Sequence, residues 1–136
     1  MQTTATRTFR SDAAIAVWTP EGALTHRELD SWSNRLARVL LGRGAGPGAV
    51  VAVAVEPLIE DLVTRTAVAK IGATAVPAGT QVPAPVLGVT TEDTRGALGD
   101  TIPWLVLDDR STLLRYLTGS DAPITDADLG GLRPAS

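Results

Sequence analysis

The chain has no cysteine, which excludes disulfide bridges, thiolate nucleophiles and any zinc centre built on sulfur. It has a single histidine, His26, and a single lysine, Lys70, against eleven arginines. A histidine-based catalytic or metal site would need partners the sequence does not offer. The arginine bias, with abundant Ala, Gly and Val, suggests a high-GC genome, a point of codon usage and not of function. There is no basic excess: the net charge of -3 argues against nucleic acid as a partner, since neutralising phosphates calls for a positive face. No run approaches the roughly 18 apolar residues of a membrane span. Residues Met1 to Arg10 lack an apolar secretory core, so the expected location is the cytoplasm. What remains is ordinary for a globular domain, with 44% apolar and 20% charged residues. At 136 residues, one domain burying roughly 68% of its unfolded surface is expected.

Short apolar runs alternate with helical patterns along the chain. Ala13 to Trp18 reads as a strand, and Thr19-Pro20-Glu21-Gly22 as a turn leading back to Ala23-Leu24. Thr25 and Glu28 form a capping-box pair, flanked by Leu24 and Leu29 at the positions of a hydrophobic staple. Leu29, Trp32, Leu36, Val39 and Leu40 then recur at helical spacing, and Gly44 suits a left-handed residue past the helix end. Ala49 to Val55 is continuously apolar, as expected of a strand buried on both faces in a parallel sheet. Pro57 suits the first position of a second helix, with Glu60 and Asp61 in its opening turn. Leu58, Ile59, Leu62, Val63, Thr66, Ala67 and Ile71 are its expected inward face, and Gly72 its end. Ala73 to Pro77 reads as a strand. Residues 78 to 100 are broken by Pro83, Pro85, Gly88, Gly96 and Gly99, with room for a short helix between Pro85 and Leu98. Trp104 to Leu107 predicts a fourth buried strand ending in Asp108-Asp109, and Thr112 to Leu117 a helical turn or two. From Gly119 onward, the composition predicts a loosely ordered polar tail. The alternation predicts an α/β, Rossmann-like, partly parallel sheet with flanking helices and right-handed crossovers. The expected organisation is an α/β domain over residues 1–118 and then a flexible linker over 119–136.

Two motifs carry a family resemblance. Leu24-Thr25-His26-Arg27-Glu28-Leu29 resembles the first core motif of amino-acid adenylation domains, with His26 in place of the usual Tyr. Asn34-Arg35-Leu36-Ala37 and Arg43-Gly44-Ala45-Gly46-Pro47-Gly48 are similar to the helix and turn that come after that motif in those domains. Val68-Ala69-Lys70-Ile71-Gly72-Ala73-Thr74-Ala75-Val76-Pro77 resembles the second motif, and Thr8-Phe9 the usual lead-in. Order and spacing both fit. The resemblance implies the N-terminal part of an adenylation domain of the nonribosomal peptide synthetase and adenylate-forming superfamily, stopping before the phosphate-binding loop. The chain departs from the family at Ala78-Gly79-Thr80-Gln81-Val82-Pro83 and at Glu56-Pro57-Leu58.

By that resemblance, three elements of the ATP chemistry are missing from these residues: the Ser/Thr/Gly-rich loop, the acidic residue on the ribose and the catalytic lysine. Lys70 falls at a motif position on a helix end and is not that lysine. No catalytic, cofactor-binding or metal residue is therefore expected, and no cofactor. Gly42 to Gly48 leaves a helix and enters a strand, the reverse of a phosphate loop, and reads as a turn. His26 reads as an exposed first-turn residue. Asp108-Asp109 lies at the carboxyl edge of the sheet, where α/β proteins bind ligands; a solvated turn is the simpler reading and magnesium the alternative. Trp32 and Trp104 read as packing residues, and Asp121, Asp126 and Asp128 as a solvated tail. Without the remainder of such a domain, apolar surface lacks its usual cover. The expected function is a truncated, catalytically incompetent module holding a synthetase, carrier or tailoring protein of an antibiotic-type pathway, or a second copy. The alternative is one piece of a split or longer adenylating enzyme.

Overall fold

The computed structural model describes residues 15–20 and 22–130. Ala13, Ala14 and Glu21 of the expected hairpin lie outside them, as does the end of the chain from residue 131. Strand β1 (Ile15–Thr19) pairs antiparallel with β2 (Gly22–Thr25) and leads into helix α1 (His26–Gly42). The predicted capping box is built: the Glu28 amide donates to Thr25 Oγ1 at 3.0 Å and the Thr25 amide donates to Glu28 Oε1 at 2.9 Å. Two orphan donors at the helix start are thereby satisfied. Leu36, Ala37, Val39 and Leu40 form the buried face of α1, and Gly44 takes a left-handed conformation past its end.

Beyond it lie four parallel strands: β3 (Val50–Ala54), β4 (Thr74–Pro77), β5 (Leu87–Thr90) and β6 (Trp104–Val106), in the order β4-β3-β5-β6. Helix α2 (Leu58–Lys70) joins β3 to β4. Its start differs from expectation by one residue, because Pro57 is extended and sits at the N-cap. Leu58, expected inward, is 55% exposed; with the helix opening at this residue it projects past the core, and buried Thr64 takes an inward place with its hydroxyl donated to Glu60 O. Gly72 closes the helix with φ 75°, and its missing Cβ lets Pro47 approach closely. Lys70 ties the two helices together: Nζ donates to Asp30 Oδ1 at 2.7 Å and to Asn34 Oδ1 at 2.8 Å.

Strand β5 lies in the stretch whose pattern prolines and glycines interrupt. It is buried throughout, and Gly88 at its centre is fixed by packing, since a Cβ there would overlap the Trp104 ring. Helix α3 (Glu92–Arg95) is the expected short helix between Pro85 and Leu98. Helix α4 (Arg110–Thr118) fills the predicted turns after β6.

Alternation divides the sheet residues between two faces. Val51, Val53, Leu87, Val89 and Leu105 point into the core with the buried faces of α1 and α2. Ala52, Gly88 and Trp104 belong to the other face. Moving from β3 to β4 and from β5 to β6 runs in opposite directions across the sheet. Right-handed crossovers therefore place α2 and the β5–β6 connection on opposite faces. Among the described residues, the second face has only loops, the four-residue α3 and the indole of Trp104 to cover it.

The segment after Gly119 runs along α1 rather than leaving it. Asn34 Nδ2 donates to Asp121 O at 2.9 Å, and Arg38 pairs with Asp128 at 3.2 Å. Helix α5 (Asp126–Gly130) places Leu129, with Ile124, against the core. Asp121 and Asp128, expected to be solvated here, find partners because α1 offers them Arg35 and Arg38.

Candidate functional site

Reversal of direction between β3 and β5 opens a crevice at the carboxyl edge of the sheet, the position where open α/β sheets hold ligands. The crevice has a volume of about 360 Å³. Leu24, Trp32, Val63 and Leu107 supply an apolar floor, and Leu113, Tyr116 and Leu117 of α4 form one wall. Glu60 from α2, Asp93 from α3 and Asp108 after β6 stand around it, together with Thr91. No lysine or arginine is among the lining residues.

The aromatic pair organises the wall. Trp32 and Tyr116 meet edge-on, with ring centroids 5.2 Å apart, and the Arg35 guanidinium lies 5.0 Å from the Trp32 centroid. Burial pushes the Tyr116 phenol well above its ordinary value, and the Glu60 carboxylate adds to the rise. Thr91 caps α3 by position, yet its side chain makes no capping hydrogen bond.

The adjacent acids at the strand end separate. Asp108 Oδ1 accepts from the Glu92 amide at 2.8 Å, while Asp109 sits at the N-cap of α4 and accepts from Ser111 Oγ at 2.7 Å. The Ser111 hydroxyl, and after it the Thr112 amide, holds the Asp109 carboxyl below its ordinary range. Among the described residues no group of three or more His, Cys, Asp or Glu could hold a metal ion. His26 is exposed in the first turn of α1. The Gly42–Gly48 segment is a turn from α1 into β3, pinned by the Gly48 amide on Gly72 O at 2.9 Å. Trp104 covers the second sheet face and donates its indole N–H to Gly99 O at 2.9 Å. Trp32, a packing residue by its sequence pattern, also lines the crevice. No sequence signal marks Thr91, Asp93 and Tyr116, because their position depends on β5, whose glycine hides it.

Fold and topology define the class first: this is an α/β segment like the N-terminal subdomains of adenylate-forming enzymes. The NpsA N-terminal subdomain of Klebsiella oxytoca superposes with a TM-score of 0.66 at 20% identity, covering 87% of this chain and 31% of that one. Apo MatB from Rhodopseudomonas palustris superposes with 0.66 at 24% identity, covering 85% and 27%. A model of the AMP-binding enzyme family matches residues 2–98, and the chain belongs to that family. Curated relatives agree. A probable non-canonical nonribosomal peptide synthetase, CymA, of Salinispora arenicola is 35% identical, with 85% of this chain and 2% of that protein covered. The isonitrile lipopeptide synthase of Mycobacterium tuberculosis is 37% identical, with 92% and 5% covered. Novobiocin biosynthesis protein H of Streptomyces niveus is 34% identical, with 92% and 23% covered. The chain thus spans 2 to 23% of the length of these relatives. Among the described residues no helix is long and apolar enough to cross a membrane.

Proposed function

We propose that these residues act as a non-catalytic framework in nonribosomal peptide biosynthesis, offering a docking face and carrying none of the ATP chemistry. The observation that carries this reading is the unequal cover of the sheet. Parallel sheets are normally buried on both faces by helices. Here the second face has no long helix among the described residues, and Val50, Ala54, Val76 and Val106 are only half-buried. A further protein layer fits there: a synthetase, carrier or tailoring protein of the same cytoplasmic system, or a second copy. The crevice supports the non-catalytic part. Phosphoryl chemistry needs cations and N–H donors around the phosphates, whereas Glu60, Asp93 and Asp108 would repel them.

A second reading is favoured by the built state of both motifs. The capping box and the Lys70 contacts are intact, as expected if the segment is the first layer of a longer or split adenylating enzyme. The remainder would then bring the phosphate loop and lysine. ATP–pyrophosphate exchange separates the readings. The 136-residue chain alone is expected to give none, and exchange by it would contradict both. Addition of a polypeptide carrying the rest of an adenylation domain restores exchange under the second reading. Complex formation with a pathway protein that is indifferent to ATP, and without exchange, supports the framework.

A further inference from the structure

The crevice at the carboxyl edge plays no part in the framework role, and its chemistry is selective. Its floor and one wall are apolar and aromatic, while three carboxylates approach it from separate elements. None of Glu60, Asp93 and Asp108 forms an ion pair among the described residues, where the pairs fall on Asp30, Asp61, Asp100, Asp121 and Asp128. Thr91 is a second and independent sign. It is only 7% exposed and lines the crevice, and its hydroxyl makes no capping bond to α3, whose Glu92 amide is taken by Asp108 instead. A polar side chain so nearly buried and without its local partner is ready to bond a ligand.

The geometry points to an organic ammonium ion with an apolar tail as the ligand of this crevice. A volume of about 360 Å³ sits at the small end of ligand sites, which run from roughly 300 to 1,000 Å³. The tail packs on Trp32, Leu107 and the α4 wall. The ammonium group has three donors and no acceptor, which matches the carboxylates and the Thr91 hydroxyl. Low-dielectric walls around charge of one sign focus the potential toward cations and away from carboxylates and phosphates. Arg35 offsets part of this field, since its charge reaches Tyr116, while its guanidinium donates to Leu117 O and lies 3.9 Å from Asp121.

Three probes with one tail and different heads test this on the full 136-residue chain: hexylammonium, hexanol and hexanoate. The indole N–H of Trp32, assigned by Trp32→Phe, reports occupancy in a nitrogen–proton correlation spectrum. Hexylammonium is expected to bind saturably and at least about tenfold more tightly than hexanoate, with hexanol between them. In Glu60→Gln/Asp93→Asn/Asp108→Asn the preference for ammonium over hexanol is expected to vanish while hexanol binding holds. Should that variant lose hexanol binding, single Asp93→Asn is used, with the preference expected to fall by about threefold. Ammonium binding no tighter than hexanol, or a preference that survives loss of the carboxylates, would overturn the proposal.

Discussion

The two faces of the parallel sheet are made from the same four strands and differ in almost everything else. On one face, β-branched and leucine side chains from β3, β5 and β6 meet the apolar stripes of two long helices, and Leu36, Leu40 and Ile71 are fully buried. On the other, Ala52, Gly88 and Thr90 with the half-buried Val50, Val76 and Val106 lie, among the described residues, beneath one indole, loops and a helix of four residues. The first face is a finished core. The second is buried at Ala52, Gly88 and Thr90 and only half-buried at Val50, Ala54, Val76 and Val106, and it carries the framework reading.

Substitutions should register that difference. Leu40→Ala, at a fully buried position on the helical face, is expected to cost about 2–5 kcal/mol in urea unfolding. Val106→Ala, half-buried on the other face, should cost about 1 kcal/mol or less. Equal losses would mean the two faces are equally packed. Next in size is Gly88→Ala, whose new methyl group must displace the Trp104 ring. A loss of about 1–3 kcal/mol is expected, with a red-shifted tryptophan emission as the indole is exposed. A neutral substitution would show that the indole contributes nothing to cover on that face.

Those residues also show what is legible in a sequence of this kind. Helix α1 can be read because each of its signals is local: a cap, a partner three residues on, a stripe and a glycine. Strand β3 can be read because burial on both sides leaves a continuous apolar run. Strand β5 cannot, because the glycine that breaks its pattern answers to an indole from the next strand, and no local rule reports that. The crevice depends on β5 and on the reversal of strand order, so Thr91, Asp93 and Tyr116 have no visible reason in the sequence to stand together. The path of residues 119–130 is hidden likewise, since its partners Asn34 and Arg38 lie far back in the chain.

Two smaller effects sharpen the comparison on the helical side. Lys70→Met removes the bridge from α2 to Asp30 and Asn34. Since Lys70 and Asp30 keep 23% and 65% of their side-chain exposure, screening limits the expected loss to about 1–2 kcal/mol. A loss that does not shrink with added salt would contradict the ionic part of that account. The smallest effect is an acid one. The Thr125 amide, then Arg38, hold the Asp128 carboxyl below its ordinary value of 3.8. A depressed folded pKa means the contribution is complete above the unfolded value and is lost as pH falls through the folded one. The amides of α5 should therefore lose protection below about pH 4, and Asp128→Asn should remove that step.

The most direct test of the half-covered sheet is amide hydrogen exchange on this chain, alone and with the rest of an adenylation domain or a candidate pathway protein added. The account predicts new protection in residues 78–86 and 97–104 and along β4 and β6, with α1 and α2 unchanged. Protection gained on the helices instead, or none on the second face when a complex has formed, would contradict it.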